Sequence, residues 1–218
     1  QIDLGRLNPG DVIDEAERAQ LGAKHPNQAG HLDLPLDDGD TSRYAVACRT
    51  LRQWRDEDLE PFARLNADPE VMRYFPAPLD REQSDAMVSR MRERIDEQGW
   101  GLWAVERRDT GAMVGFTGLA VPRHPLPFMP CVEVGWRLAS SAWGHGFATE
   151  AAREALRVAF EELGLAEVVS FTAVSNVRSR AVMERLGMVR DPAEDFDHPA
   201  LAEGESLRRH VLYRTVRR

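Results

Sequence analysis

Apolar and polar positions alternate most clearly at 132–138. Val132, Val134, Trp136 and Leu138 fall on one face of a predicted strand, with Glu133, Gly135 and Arg137 on the other. Short apolar runs bounded by turn residues predict further strands at YAVACRTL (44–51), GLWAVERR (101–108), AMVGFTGLAV (112–121), AEVVSFTAV (166–174) and RRHVLYRTV (208–216). Asp109-Thr110-Gly111 joins two of them as a hairpin turn. Elsewhere the period changes to that of a helix. RDEDLEPFARLNA (55–67) opens on an acidic first turn, and Leu79–Gln98 repeats Ala86, Met87, Met91 and Ile95 at helical spacing. DPEVMRYFPAP (68–78), with three prolines, connects these two helices. A third helix carries the stripe Ala148, Ala151, Ala152, Ala155, Ala159, Phe160 and Leu163, ended by Gly164, and NVRSRAVMERLG (176–187) is a fourth, closed by Gly187. Antiparallel hairpins come early and a β-α-β unit late, so the predicted class is α+β, with a mixed, mainly antiparallel central sheet flanked by helices.

Residues 1–42 lack this patterning. Asp11–Ala23 reads as a short helix with the thin apolar face Ile13, Ala16 and Leu21, and DLPLDDGD (33–40) is acidic and turn-rich. The expected organisation is therefore an N-terminal arm over 1–42, lying on the body or on a partner subunit, and a globular domain over 43–218.

Composition narrows the partners. At 43% hydrophobic the chain can bury a sizeable core, and a formal net charge of −8 disfavours nonspecific nucleic-acid binding. The acidic balance suits a cationic acceptor such as an amine. Cys48 and Cys131 make no disulfide framework, and the six histidines show no metal-ligand spacing, so no metal is expected. Without an apolar run of about 18 residues no membrane association is expected, and the expected compartment is the cytoplasm.

SSAWGHGFATEAAREAL (140–156) is the segment whose chemistry stands out, with glycines on either side of His145 where an apolar-striped helix begins. A tight turn is one reading. An anion cradle, in which amides at the helix start face a phosphate, is the other. A Rossmann-type dinucleotide site does not fit, because GHG lacks the last glycine of that fingerprint and no acidic ribose ligand follows.

Five segments in order, LRQWRDEDLEPFARLNADPEVMRYF (51–75), VGFTGL (114–119), EVGWRL (133–138), WGHGFATEA (143–151) and NVRSRAVMERLGM (176–188), resemble the GCN5-related N-acetyltransferase (GNAT) family, in the branch similar to the RimJ and RimL ribosomal-protein N-terminal acetyltransferases. The resemblance runs from about Arg49 to the C-terminus. It implies the acyl-CoA N-acyltransferase fold, in which two neighbouring strands, here CVEVGWRL and VVSFTAV, splay apart. It also implies acetyl-CoA as cosubstrate, with Trp143, Gly144, His145, Gly146, Phe147 and Ala148 forming the pyrophosphate loop. Ser141 stands where the family has Gln or Arg, so one polar contact is missing. Val134, Trp136 and Leu138 are expected to border the pantetheine arm, mostly through main chain. Asn176 corresponds to an Asn whose side chain reaches the pantetheine, and an ordinary N-cap is the competing role. Met183 stands where many members have a Tyr that protonates the leaving thiolate, which makes Ser179, also counted among the cofactor-binding residues, the candidate acid. His145 is expected on the loop surface, without a chemical role.

Glu133 is the candidate base, acting through water, and an ion pair with Arg137 on the same face is its competing role. Asp68 and Glu70, with Tyr74, Phe75, Trp100 and Trp103, are candidate walls of the acceptor pocket, or simply core. PRHPLPFMP (122–130) and RDPAEDFDHPALAEGES (190–206) are expected to frame that pocket. The second loop, with Asp191, Glu194, Asp195 and Asp197, would attract a cation or be a solvated surface. The function implied is acetyl transfer to a primary amine, either a protein N-terminus or a small molecule. The alternative is a noncatalytic GNAT-like domain that binds acyl-CoA or regulates. Homodimers are frequent in the family.

Overall fold

The computed structural model describes residues 42–46 and 49–217. The predicted arm helix at Asp11–Ala23 and most of the expected arm lie outside the described residues. Described strands are β1 (Ser42–Val46), β2 (Arg49–Arg52), β3 (Leu102–Arg107), β4 (Met113–Ala120), β5 (Glu133–Leu138), β6 (Glu167–Ala173), β7 (Val189–Arg190), β8 (Phe196–Asp197) and β9 (Arg209–Val216). They form one sheet in the order β1-β2-β3-β4-β5-β6-β9-β7, with β8 also paired to β9. The helices are α1 (Leu59–Ala67), α2 (Arg81–Gln98), α3 (Phe147–Arg157) and α4 (Val177–Arg185).

The mainly antiparallel sheet matches the sequence expectation, with one difference at its edge. The segment read as a single strand over 44–51 reverses, so that Val46 pairs with Arg49 and Ser42 with Arg52. α2 begins at Asp80, which accepts from the Gln83 amide while the Gln83 side chain returns to the Asp80 amide, and it ends at Gly99 in the left-handed region. α3 runs on into a π-turn over Val158–Glu162, with the Leu163 amide bonded to the Val158 carbonyl.

Cross-strand pairing decides which side chains share a face. Phe116 of β4 lies opposite Arg137 of β5, and Ala120 lies opposite Glu133. α1 covers this face, since Phe62 meets the Phe116 ring edge-on and Asn66 meets Arg137. β5 and β6 are the one parallel pair among the described strands, and they meet at a single register position, Glu133 opposite Val169. The Val169 amide donates to the Val132 carbonyl at 2.9 Å. Beyond that rung β5 continues to Leu138 without a neighbour on this side.

A buried charge cluster ties the start of the first helical segment to the sheet. Arg52, 2% exposed, grips Asp58 through Nη1 and Nη2 at 2.6 and 2.8 Å, and its Nε donates to Glu106 at 2.6 Å. Asp58 also accepts from the Arg55 amide. Removing one partner strands a charge in low dielectric. Asp58→Ala is therefore expected to cost about 3 kcal/mol in urea unfolding, whereas breaking the exposed pair Arg64–Glu60 should cost under about 1 kcal/mol.

Candidate active site

The open angle between β5 and β6 is the head of a groove with a volume near 1160 Å³. Its walls come from Gly135–Leu138 of β5, Ser170–Thr172 of β6, the start of α3, the inner side of α4 and the single-turn helix Val71–Tyr74.

At one end lies the glycine loop. Gly144 and Gly146 have φ of 80° and 78°, and a β-carbon at either would meet nothing within 4 Å. The backbone conformation, not crowding, requires glycine here. Gly146 is the N-cap of α3, and no side chain caps that helix start, so its first-turn amides point outward from an exposed loop. Trp143 fixes the loop from below by donating its indole N–H to the Leu138 carbonyl at 2.9 Å. The Arg178 guanidinium lies 4.3 Å above the Trp143 ring, which puts a cation beside the loop where Ser141 supplies none. His145 does not line the groove. It is exposed and stacks on Phe147 at 5.2 Å.

Along the groove, Trp136 and Leu138 line the wall, while the Val134 side chain is fully buried in the core. Asn176 lines the groove and also caps α4, which makes its two competing roles compatible. Its Oδ1 accepts from the Ser179 amide, and its Nδ2 donates to Thr172 Oγ1 and Ser179 Oγ. Both amide hydrogens are thus used within the protein, and one Oδ1 lone pair remains for a ligand N–H. Ser179 accepts from Asn176, so its own hydroxyl hydrogen is free to turn toward the groove. Met183 is buried in the groove wall and has no proton to give.

Glu133 stands at the rung where β5 and β6 part. With Phe171 it borders both the groove and a second pocket on the α2 side, framed by Arg90, Met91, Arg94 and the 120–126 segment. It is 1% exposed, and burial pushes its carboxyl up to about 7. The alternative ion pair with Arg137 is not formed, because four residues of strand separate their backbones by about 13 Å. Arg137 instead donates to Asn66 Oδ1 at 2.7 Å and lies 3.9 Å from the Phe75 ring centroid. Burial lowers it to about 9.

Several other expectations are redistributed. Asp68 accepts from Ser140 Oγ, and Glu70 pairs with Arg178 at 3.4 Å. Tyr74 and Phe75 line the groove, but Trp103 is wholly buried and Trp100 packs against the core. In the acidic loop over 190–206, the four acidic residues singled out in the sequence are each engaged. Asp195 pairs with Arg190, Glu194 with Arg214, and Asp197 with Arg208 and Arg209, while Asp191 accepts from the Ala193 amide. Sequence reading missed Arg90 and Arg94, which line the second pocket together with Arg123 of the 122–130 segment. In SRMRERIDE (89–97) Arg90 and Arg94 look like an ordinary solvated helix face, and only the closeness of Met91 and Ile95 hints at the sheet beneath.

The residues at 49–189 match the family described as acetyltransferase (GNAT) domain. The chain is 37% identical to the FsC-acetyl coenzyme A-N(2)-transacetylase of Aspergillus fumigatus, over 65% of this chain and 64% of that protein, so it spans under two thirds of that relative. An acetyltransferase structure from Agrobacterium tumefaciens is 26% identical and superposes with a TM-score of 0.63, over 79% of this chain and 92% of that one. Spermidine N-acetyltransferase from Vibrio cholerae, solved with CoA and spermine, shares the fold at 19% identity and a TM-score of 0.62, over 79% and 97% of the two chains.

The raised carboxyl has a stability consequence. Its folded value lies above its unfolded one, so the folded state holds the extra proton between about pH 4.5 and about 7, and stability falls as pH rises through that window. Glu133→Gln is expected to stabilise the protein at pH 8 by on the order of 3 kcal/mol, and by little at pH 4.5. Urea unfolding at the two pH values measures the difference.

Proposed function

Because this chain belongs to the GNAT acetyltransferase family, we propose that it transfers an acetyl group from acetyl-CoA to a primary amine by direct attack. The observation that carries this reading is the single-rung parting of β5 and β6, with a buried carboxylate at the rung and an uncapped helix start at the far end of the groove. Residues 43–218 are read as the transferase domain. The segments at 51–75 and 176–188 support the RimJ/RimL-like branch within the family.

Acetyl-CoA, when bound, supplies an activated thioester carbonyl. The first-turn amides of α3 hold the pyrophosphate, and Gly144 and Gly146 allow the close backbone approach. Trp136 and Leu138 offer strand backbone to the pantetheine amides on the side that β6 leaves open. Asn176 receives an N–H through Oδ1. At the rung, Glu133 takes the proton that the attacking amine gives up, through one water, and a carboxyl near 7 suits that task at neutral pH. The departing sulfur takes a proton from the Ser179 hydroxyl, which solvent resupplies. The balance is one amine N–H and one C–S bond broken, one amide C–N and one S–H bond formed.

Two variants test separate parts of this reading. Gly146→Val forces a β-branched residue into the left-handed region and should weaken acetyl-CoA binding by about tenfold or more, on the order of 1–3 kcal/mol of backbone strain. Glu133→Gln should leave binding intact and lower kcat by about 10²–10⁴, removing the acid limb near pH 7. Calorimetry with acetyl-CoA and amine-dependent thiol release read these out. Tight binding with no thiol release across amines and short peptides would favour the noncatalytic acyl-CoA-binding alternative, and an unchanged pH profile in Glu133→Gln would remove that residue as base.

A further inference from the structure

One face of β5 gives the groove three residues in sequence: Glu133 at the rung, then Gly135, then Arg137. The middle one has no side chain, so the floor between a carboxyl and a guanidinium is bare backbone. Four residues of strand set the two ends about 13 Å apart at the backbone. Phe75, which follows the single-turn helix Val71–Tyr74, stands at the Arg137 end.

Arg137 is 4% exposed and is held from several sides. Its Nη1 donates to Asn66 Oδ1 at 2.7 Å, and the buried Asn66 in turn donates through Nδ2 to Ser84 Oγ at 2.9 Å. This chain of polar groups ties β5 to α1 and α2 beneath the groove. The guanidinium also lies 3.9 Å from the Phe75 ring centroid and 5.5 Å from that of Phe116, which offsets part of its desolvation. These contacts fix the group in place, yet they use only one of its five N–H donors. Among the described residues the edge formed by Nε and Nη2 makes no hydrogen bond, and no carboxylate pairs with the group. Arg52 is equally buried and directs all three of its nitrogens at acceptors, two carboxylates among them. A buried guanidinium edge without an acceptor carries a standing cost, which an oxygen from outside removes.

We propose that Arg137 is a specificity-determining residue: it binds a carboxylate or carbonyl oxygen of the acceptor, whose chain lies over Gly135 and whose amine lies at the rung. This deepens the transferase reading above and rests on it for the place of the amine. The parallel N–H donors of the open edge match the two oxygens of a carboxylate, or the two lone pairs of a carbonyl. Gly135 leaves room for the chain that joins the two groups. The distance between the ends of this floor favours an amine several bonds away from its oxygen over one on the adjacent carbon. A polyamine offers only donors and leaves the edge unpaired.

The test uses matched acceptors with the full-length protein and acetyl-CoA. Amino acids of increasing chain length, from glycine through β-alanine and γ-aminobutyrate to ε-aminocaproate, are each supplied as free acid and as amide. Alkylamines of the same lengths lack the oxygen, and spermidine is the polyamine arm. Thiol release gives kcat and KM, and calorimetric titration into the CoA-bound protein gives binding without turnover. At the best chain length we expect the oxygen-bearing acceptor to be favoured over its alkylamine by about tenfold or more in kcat/KM, chiefly through KM. Preference for the acid over the amide identifies a carboxylate site, and equal use of the two identifies a carbonyl site. Arg137→Lys keeps a charge but loses the paired edge, and should reduce the preference, whereas Arg64→Gln, an exposed control on α1, should not. Urea unfolding and calorimetry with acetyl-CoA show whether Arg137→Lys is folded, and the wild-type series decides the proposal even where it is not. Alkylamines or spermidine used as well as the acids and amides overturn the oxygen site and leave the transferase reading standing. Preferential binding of the oxygen-bearing amines without any thiol release keeps the oxygen site and sinks the transferase reading. Equal binding of all arms with no thiol release overturns both.

Discussion

One hydrogen-bonded rung between two parallel strands organises this molecule. β5 and β6 share the pairing of Glu133 with Val169 and then diverge. A sheet that opens in its middle exposes backbone amides and carbonyls on both inner edges, which a folded protein cannot leave dry and unpaired. Such an opening therefore demands something peptide-like to fill it. The antiparallel ladders on either side, β4 with β5 and β6 with β9, are long and continuous, and they hold the two edges apart as rigid walls.

Buried charge is handled differently in different parts of the same domain. Arg52 is fully matched by two carboxylates, and its cluster holds β2, β3 and the first helical segment together. Arg137 is just as buried, but it is matched by an amide and two aromatic faces. The first arrangement closes on itself, whereas the second leaves capacity for a partner from outside. Glu133 is likewise held where burial works against its charge. Buried ionisable groups held at a cost concentrate around the groove, as expected where packing has been traded for chemistry.

The sequence made most of the frame legible. Period-two alternation at 132–138 marked β5, helical spacing of Met87, Met91 and Ile95 marked α2, and the Gly-His-Gly segment marked an unusual helix start. These are local signals, set by backbone preference and by which side of one element is apolar. The edge hairpin was hidden because the run over 44–51 contains no Gly, Pro, Asn or Asp to mark a turn. The partners of the charged side chains were hidden for a different reason. Whether Asp195 faces solvent or Arg190, and whether Arg94 faces solvent or a pocket, depends on packing between elements far apart in the chain. Composition gave a sign of charge for the whole molecule, and it did not say which side chains meet in the pocket.

Glu133 and Phe171 are the residues common to the groove and the second pocket. This junction bears on the order of events. Two ligands that approach one carboxylate from separate sides need not displace each other, so both can be present before the bond changes, and neither product has to wait for the other to leave. Such a layout suits a ternary-complex scheme, with intersecting rather than parallel lines in double-reciprocal plots.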